Sequence, residues 1–179
     1  MVHVRLQSGT LNGASGVLKL IKRLFMRELN IEKMFIPVDS KCFTGIQLPK
    51  EGPSSITIHW IGPYPGQTPE DVRHWWISSG GEASAHFIIK DERCVQCWST
   101  DLAAWHAGCK QGNLTSIGIE VIPKNKEGEF SDESIETLKL LLRKLPKVRI
   151  VRHYDWTKKD CPKFYVDEER WNSLLKKLK

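Results

Sequence analysis

Three histidines and one cysteine, His59, His86, His153 and Cys161, fall where apolar runs of the chain give way to polar, irregular ones. A side chain at a strand end is held still by the sheet while the adjoining loop leaves room for a ligand, so such positions suit metal binding or catalysis. Taken singly, each residue has a blander meaning. A lone strand histidine is more often a satisfied structural group than a ligand, and a lone cysteine is more often a small core hydrophobe. Cys161 follows His153 by eight residues, a looser spacing than a zinc-finger knuckle, and no spacing rule joins them to His59, 94 residues before His153. Cys94-Val-Gln-Cys97 is the single C-x-x-C of the chain. A redox pair of this kind opens a helix, whose N-terminus lowers the thiol pKa. Here the pair lies in a strand pattern that sends the two thiols to opposite faces, so neither redox nor metal chemistry is expected of it. Glu120 is an acid inside the otherwise apolar run Ser116-Ile-Gly-Ile-Glu-Val-Ile122, which is uncommon unless the acid is paired or functional.

The elements that must position these residues alternate strand and helix. Ser55-Ile-Thr-Ile-His-Trp60 has the period of a strand, and Gly62-Pro63 ends it. Thr68 is a helix N-cap, followed by Pro69 and two acids, with Val72, Trp75 and Trp76 expected on one face and Gly80-Gly81 as the stop. Residues 85–90 and 94–98 form a hairpin around Asp91-Glu92-Arg93, and residues 116–122 a buried strand closed by Pro123. Ser131 opens a helix striped by Ile135, Leu138, Leu142 and Leu145 and ended by Pro146. Residues 147–153 read as a strand, followed by an irregular polar loop to Pro162. Asp167 caps a last helix with Trp171, Leu174, Leu175 and Leu178 inward. The fold class is mixed α/β, one central sheet flanked by helices. Before it, residues 1–30 form an extension in which Val17, Leu20, Ile21, Leu24 and Phe25 mark a basic amphipathic helix, packed on the domain or standing upstream of it, with membrane or wall contact as the lesser reading.

Composition narrows the classes without choosing among them. The 179 residues are 40% hydrophobic and 27% charged, ordinary globular usage that excludes a collagen-like or wholly disordered chain. The net charge of +6 biases the surface toward anionic partners. Lys and Arg are spread among acids along the chain, so a nucleic-acid-binding domain is not expected. Five cysteines, an odd number thinly spread, argue for a reducing compartment and against a disulfide scaffold. Lys19, Lys22, Arg23 and Arg27 interrupt the N-terminal apolar stretch, so neither a membrane span nor a secretory signal is expected.

Five motifs in order, Ile56-Thr-Ile-His59, Ala83-Ser-Ala-His-Phe-Ile-Ile89, Ala104-Trp-His-Ala-Gly108, Ser116-Ile-Gly-Ile-Glu120 and His153-Tyr-Asp-Trp-Thr-Lys-Lys-Asp-Cys-Pro162, resemble those of the type 2 N-acetylmuramoyl-L-alanine amidases. These are zinc amidases of phage lysis enzymes and bacterial cell-wall hydrolases, related in fold to the peptidoglycan recognition proteins. The resemblance places the catalytic domain at residues 31–179 and implies that His59, His153 and Cys161 bind Zn2+ with one position left open. It implies Glu120 as general base then acid and Lys159 as oxyanion holder. Many phage relatives carry a tyrosine where this chain has Ala85; relatives with a small residue there keep the strand glutamate, so the resemblance puts proton transfer on Glu120.

The substrate implied is peptidoglycan, cut between N-acetylmuramic acid and L-Ala of the stem peptide. The substrate-binding set is read as Trp60, His86, His106 and Trp156, with His86 the one most open to a supporting or structural role. Seven tryptophans, Trp105 also among them, suit a groove that stacks sugar rings, with at least half expected in the core. The chain is expected to act as a monomer, without membrane insertion, on the cell wall after holin-type export or lysis. The rival is a binding-only module of the same fold, whose members commonly lack the cysteine present here as Cys161.

Overall fold

In the computed structural model, residues 28–179 apart from Pro63 and Glu82 are described. The basic helix expected at residues 17–25 lies outside them. Six strands, β1 (Ile31–Lys33), β2 (Ser55–Trp60), β3 (Phe87–Lys90), β4 (Arg93–Gln96), β5 (Ser116–Val121) and β6 (Arg149–Arg152), form one sheet in the order β1-β4-β3-β5-β2-β6. The β3–β4 hairpin is antiparallel and the other pairings are parallel. Helices α1 (Pro69–Ser78), α2 (Lys110–Thr115), α3 (Asp132–Lys144), α4 (His153–Thr157) and α5 (Glu168–Leu178) complete it, with a 3-10 turn at Lys163–Tyr165. Among the described residues no helix is long and apolar enough to cross a membrane.

Period-two alternation divides the core between the two faces of the sheet. Ile56, Ile58, Ile117, Ile119 and Val121 point to the face covered by α3 and α5, where Leu138, Leu141, Trp171 and Leu174 meet them. The opposite face receives Ile88, Val95, Val72 and Trp76 under α1. Cys94 joins the first cluster and Cys97 the second, so the C-x-x-C thiols are indeed on opposite faces. Burial pushes both up to about 12, which leaves them neutral core groups. Among the described residues, Leu29 is already buried against the first cluster.

Caps fix where the helices start. Thr68 Oγ1 accepts from the Asp71 N–H and Asp71 Oδ2 accepts from the Thr68 N–H, a reciprocal capping box. The Ser131 and Asp167 side chains each accept the N–H three residues on and so cap α3 and α5. Two short elements have no counterpart in the sequence reading: β1, three residues on the sheet edge, and α2, six residues after Cys109. One expectation is corrected. The strand expected to run through His153 ends at Arg152, and the irregular loop expected after it starts instead as a helix, because His153 opens α4: Asp155 Oδ2 accepts the Arg152 N–H at 2.8 Å and turns the chain into a helix at once. On α1, Val72 and Trp76 are buried while Trp75, at the flank of the stripe those two define, is 54% exposed.

Arg93 ties the edge strand to α1, its Nη2 lying 2.7 Å from Glu32 Oε2 and 2.7 Å from Glu70 Oε1. The guanidinium holds the Glu70 carboxyl down to about 2 from an ordinary 4.5 and lowers Glu32 as well. A carboxylate depressed in the folded state contributes stability above its unfolded pKa, and that contribution is lost as pH falls from 4.5 toward 2. Glu70→Gln should therefore flatten the acid limb of the stability curve in that window. The change should be under about 1 kcal/mol, because such partly exposed pairs are screened. Denaturant melts of both proteins at pH 3 and pH 7 would check it, and equal acid loss in the variant would show the pair to be idle.

Candidate metal centre and substrate cavity

Strands β2 and β5 pair in parallel with His59 opposite Glu120, Thr57 opposite Gly118 and Ser55 opposite Ser116. The alternation that turns isoleucines into the core on one face therefore lines the other with polar and small residues. It brings His59 and Glu120 side by side at the C-terminal ends of their strands, where open α/β sheets bind ligands. On the other side of β2, β6 ends at Arg152, which delivers His153 to the same edge. The buried Arg152 guanidinium bonds Asp155, Glu168 and the carbonyls of Tyr165 and Val166, so α4 and the segment after Cys161 are held by one side chain. Tyr154 N–H donates to the Cys161 carbonyl at 2.8 Å and folds the 158–161 turn back over the site. The Cys161–Pro162 bond is cis.

His59, His153 and Cys161, separated by up to 102 residues of chain, converge here. His59 Nδ1 is 3.1 Å from His153 Nδ1 and 3.7 Å from Cys161 Sγ, and the three donor atoms lie within 4.8 Å of one another. All three residues are buried. Burial, with the neighbouring imidazoles, drives His59 well below the usual histidine range, and burial with the Lys159 charge brings His153 down to about 4. Both rings are then neutral at physiological pH, the form that ligates. Burial, and next the Glu120 carboxylate, pushes the Cys161 thiol up, so it ionises only with a cation beside it. Bonds of about 2.0 to 2.3 Å in a tetrahedron set donor atoms roughly 3.3 to 3.8 Å apart, close to the two separations from His59, and two imidazoles with one thiolate suit a borderline-soft ion.

Beside the triad stands Glu120. Its Oε2 is buried without a hydrogen-bond partner among the described residues, and burial raises the carboxyl to about 8 against the opposing charge of Lys159. Such an acid is set apart from structural carboxylates, which are paired. Both Glu120 and the exposed Lys159 border a cavity of about 410 Å³ together with the triad, and Tyr64, Trp75, Trp76 and Trp105 supply its aromatic wall.

A family model described as N-acetylmuramoyl-L-alanine amidase matches residues 49–164. The chain belongs to that family. This amidase-family chain is 30% identical over 157 residues to N-acetylmuramoyl-L-alanine amidase CwlH of Bacillus subtilis (strain 168), covering 82% of the chain and 60% of the relative. A second Bacillus subtilis relative, N-acetylmuramoyl-L-alanine amidase XlyB, is 30% identical over 110 residues, 56% of the chain and 34% of the relative. The amidase-family chain thus spans from about a third to 60% of the length of these relatives. Among solved structures, a mutant endolysin from Bacillus subtilis superposes with a TM-score of 0.69 at 26% identity, over 84% of this chain and 99% of that one. The catalytic domain of XlyA does so at 0.64 and 26%, with the same coverage. The family and the fold expected from the five motifs are both those found.

The residues expected to bind substrate divide. Trp60 borders the cavity, although its ring packs over Gly128 on the other side of the sheet. His106 borders it too, with both ring nitrogens engaged. His86 and Trp156 do not border the cavity. His86 is fully enclosed, its Nδ1 accepting from the Gly118 N–H and its Nε2 bonded to the Leu102 carbonyl. Trp156 donates to Thr57 Oγ1 and carries Arg149 over its ring, so its indole is occupied by the fold. Tyr64 and Trp75, 63% and 54% exposed, are the wall residues that sequence reasoning passed over.

Proposed function

We propose that this chain is a zinc-dependent N-acetylmuramoyl-L-alanine amidase that hydrolyses the amide between the lactyl group of N-acetylmuramic acid and L-Ala of the stem peptide. The observation that carries the reading is the His59, His153 and Cys161 triad set against the unpartnered Glu120 on the wall of one aromatic cavity. The names of the relatives support the bond, and the donor set supports zinc.

Bound by His59, His153 and Cys161, zinc supplies Lewis acidity toward a water and a carbonyl oxygen. The chain's own residues do the rest. Glu120 Oε2 takes the proton of the attacking water and returns it to the departing L-Ala amine, work for which a carboxyl raised toward neutrality is well matched. The Lys159 ammonium, on the same wall, faces the negative charge that develops on the carbonyl oxygen. Tyr64, Trp75 and Trp105 offer flat apolar faces to sugar rings, and closing them on the substrate excludes water from the reacting amide.

As an endolysin or autolysin the chain acts as a monomer on the cell wall, reached by holin-type export or lysis. Metal analysis is expected to find about one zinc per chain, and a chelator should abolish release of stem peptide, with zinc restoring it. Activity that survives complete removal of metal would overturn the zinc assignment.

A further inference from the structure

The segment His106-Ala107 touches both histidines of the triad. His106 Nε2 lies 3.2 Å from the Ser116 carbonyl oxygen. A carbonyl can only accept, so His106 carries its proton on Nε2, and its Nδ1 presents a lone pair. His59 Nε2 lies 3.0 Å from that lone pair and must be the donor, which strips the proton from His59 Nδ1. Next in sequence, the Ala107 carbonyl accepts from the His153 ring, and the ring nitrogen turned toward this segment is Nε2, which would stand 3.1 Å from a Cβ on Gly108. A proton on each Nε2 leaves the two Nδ1 atoms, 3.1 Å apart, as facing lone pairs. Two lone pairs at that distance repel unless a cation lies between them.

We infer that His106 is a positioning residue, a tautomer clamp that takes the proton of His59 Nε2 so that His59 Nδ1 is offered to the metal, with the Ala107 carbonyl doing the same for His153. Asn113 sets the clamp. Its buried Oδ1 accepts the N–H groups of His106 at 3.0 Å and Ala107 at 2.7 Å, fixing the two residues that reach the two ligands. Gly118 makes room for it, since a Cβ there would lie 2.6 Å from His106 Cγ. Gly108, at φ +66°, lets the chain turn against His153. This assigns His106 a place behind the metal and removes its nitrogens from substrate recognition.

The inference rests on the metal reading of the triad, and two measurements keep them apart. The first is nitrogen-15 NMR of the histidine rings in the full chain, with and without zinc. His106 is expected as the Nε2–H tautomer in both states, with scalar coupling from His59 Nε2 to His106 Nδ1 across the hydrogen bond in the zinc-loaded protein. A proton on His106 Nδ1 would overturn the clamp whatever the metal does, and needs no variant to fold. The second is zinc affinity by competition with a chelator. His106→Leu should weaken binding by about 10- to 100-fold, as loss of an outer partner of a metal ligand does, whereas His106→Gln, whose amide oxygen can accept the same proton, should recover most of it. Folded His106→Leu protein with wild-type zinc affinity would overturn the inference. Wild-type protein that binds no zinc, yet shows the expected His106 tautomer, would instead sink the metal reading.

Discussion

Glu120→Gln is expected to lower turnover by about 10²- to 10⁴-fold while zinc content and substrate binding stay near wild type. The amide keeps the shape of the carboxyl but cannot accept and return a proton at Oε2. Because that oxygen has no hydrogen-bond partner among the described residues, the substitution breaks no contact that holds the site. The metal-free protein should not be destabilised either. A carboxyl raised to about 8 in the folded state costs stability as pH rises from 4.5 through 8, because the unfolded chain releases the proton first. The neutral amide escapes that loss, so above pH 4.5 the variant should be at least as stable as wild type, the pattern of a group retained for chemistry. Turnover, zinc content and thermal melts on the same samples check all three parts. If Glu120 only oriented a ligand, metal affinity would fall along with the rate.

Cys161→Ser should deplete the metal itself. The thiol is the softest donor of the set and the one whose ionisation depends most on a cation, since burial and the Glu120 carboxylate both hold it neutral. Losing an outer partner of a ligand costs about 10- to 100-fold in metal affinity, so losing a ligand should exceed about 100-fold. Activity should then appear only at zinc concentrations raised by a similar factor. Chelator competition measures the first and a zinc titration of activity the second; full zinc occupancy in Cys161→Ser would remove the cysteine from the ligand set.

The parts of this molecule that were legible in the sequence are those written by a period or a cap. Ser55 to Trp60 alternates in type and is strand β2 residue for residue, and Thr68-Pro69 opens α1 where the capping signal says. The same alternation explains the site, because it turns His59 and Glu120 to one face of neighbouring strands. Their adjacency was not legible, since register between β2 and β5 joins residues 61 apart and only the family motifs tied them together. Helix α4 escaped because five residues carry no stripe and its start depends on a side-chain bond from Asp155. β1 escaped because three edge residues carry no period. The clamp was least visible. His106 and Asn113 owe their roles to which carbonyl and which N–H they meet, and the sequence shows only their types.

Mass spectrometry of purified peptidoglycan after digestion by the zinc-loaded chain identifies the bond that is cut. Free stem peptides beginning with an unblocked L-Ala amine are expected, together with glycan strands whose N-acetylmuramic acid has regained its lactyl carboxylate. Intact stem peptides still joined to muramic acid, from protein that holds zinc and binds the polymer, would contradict the amidase reading and leave a binding module in its place.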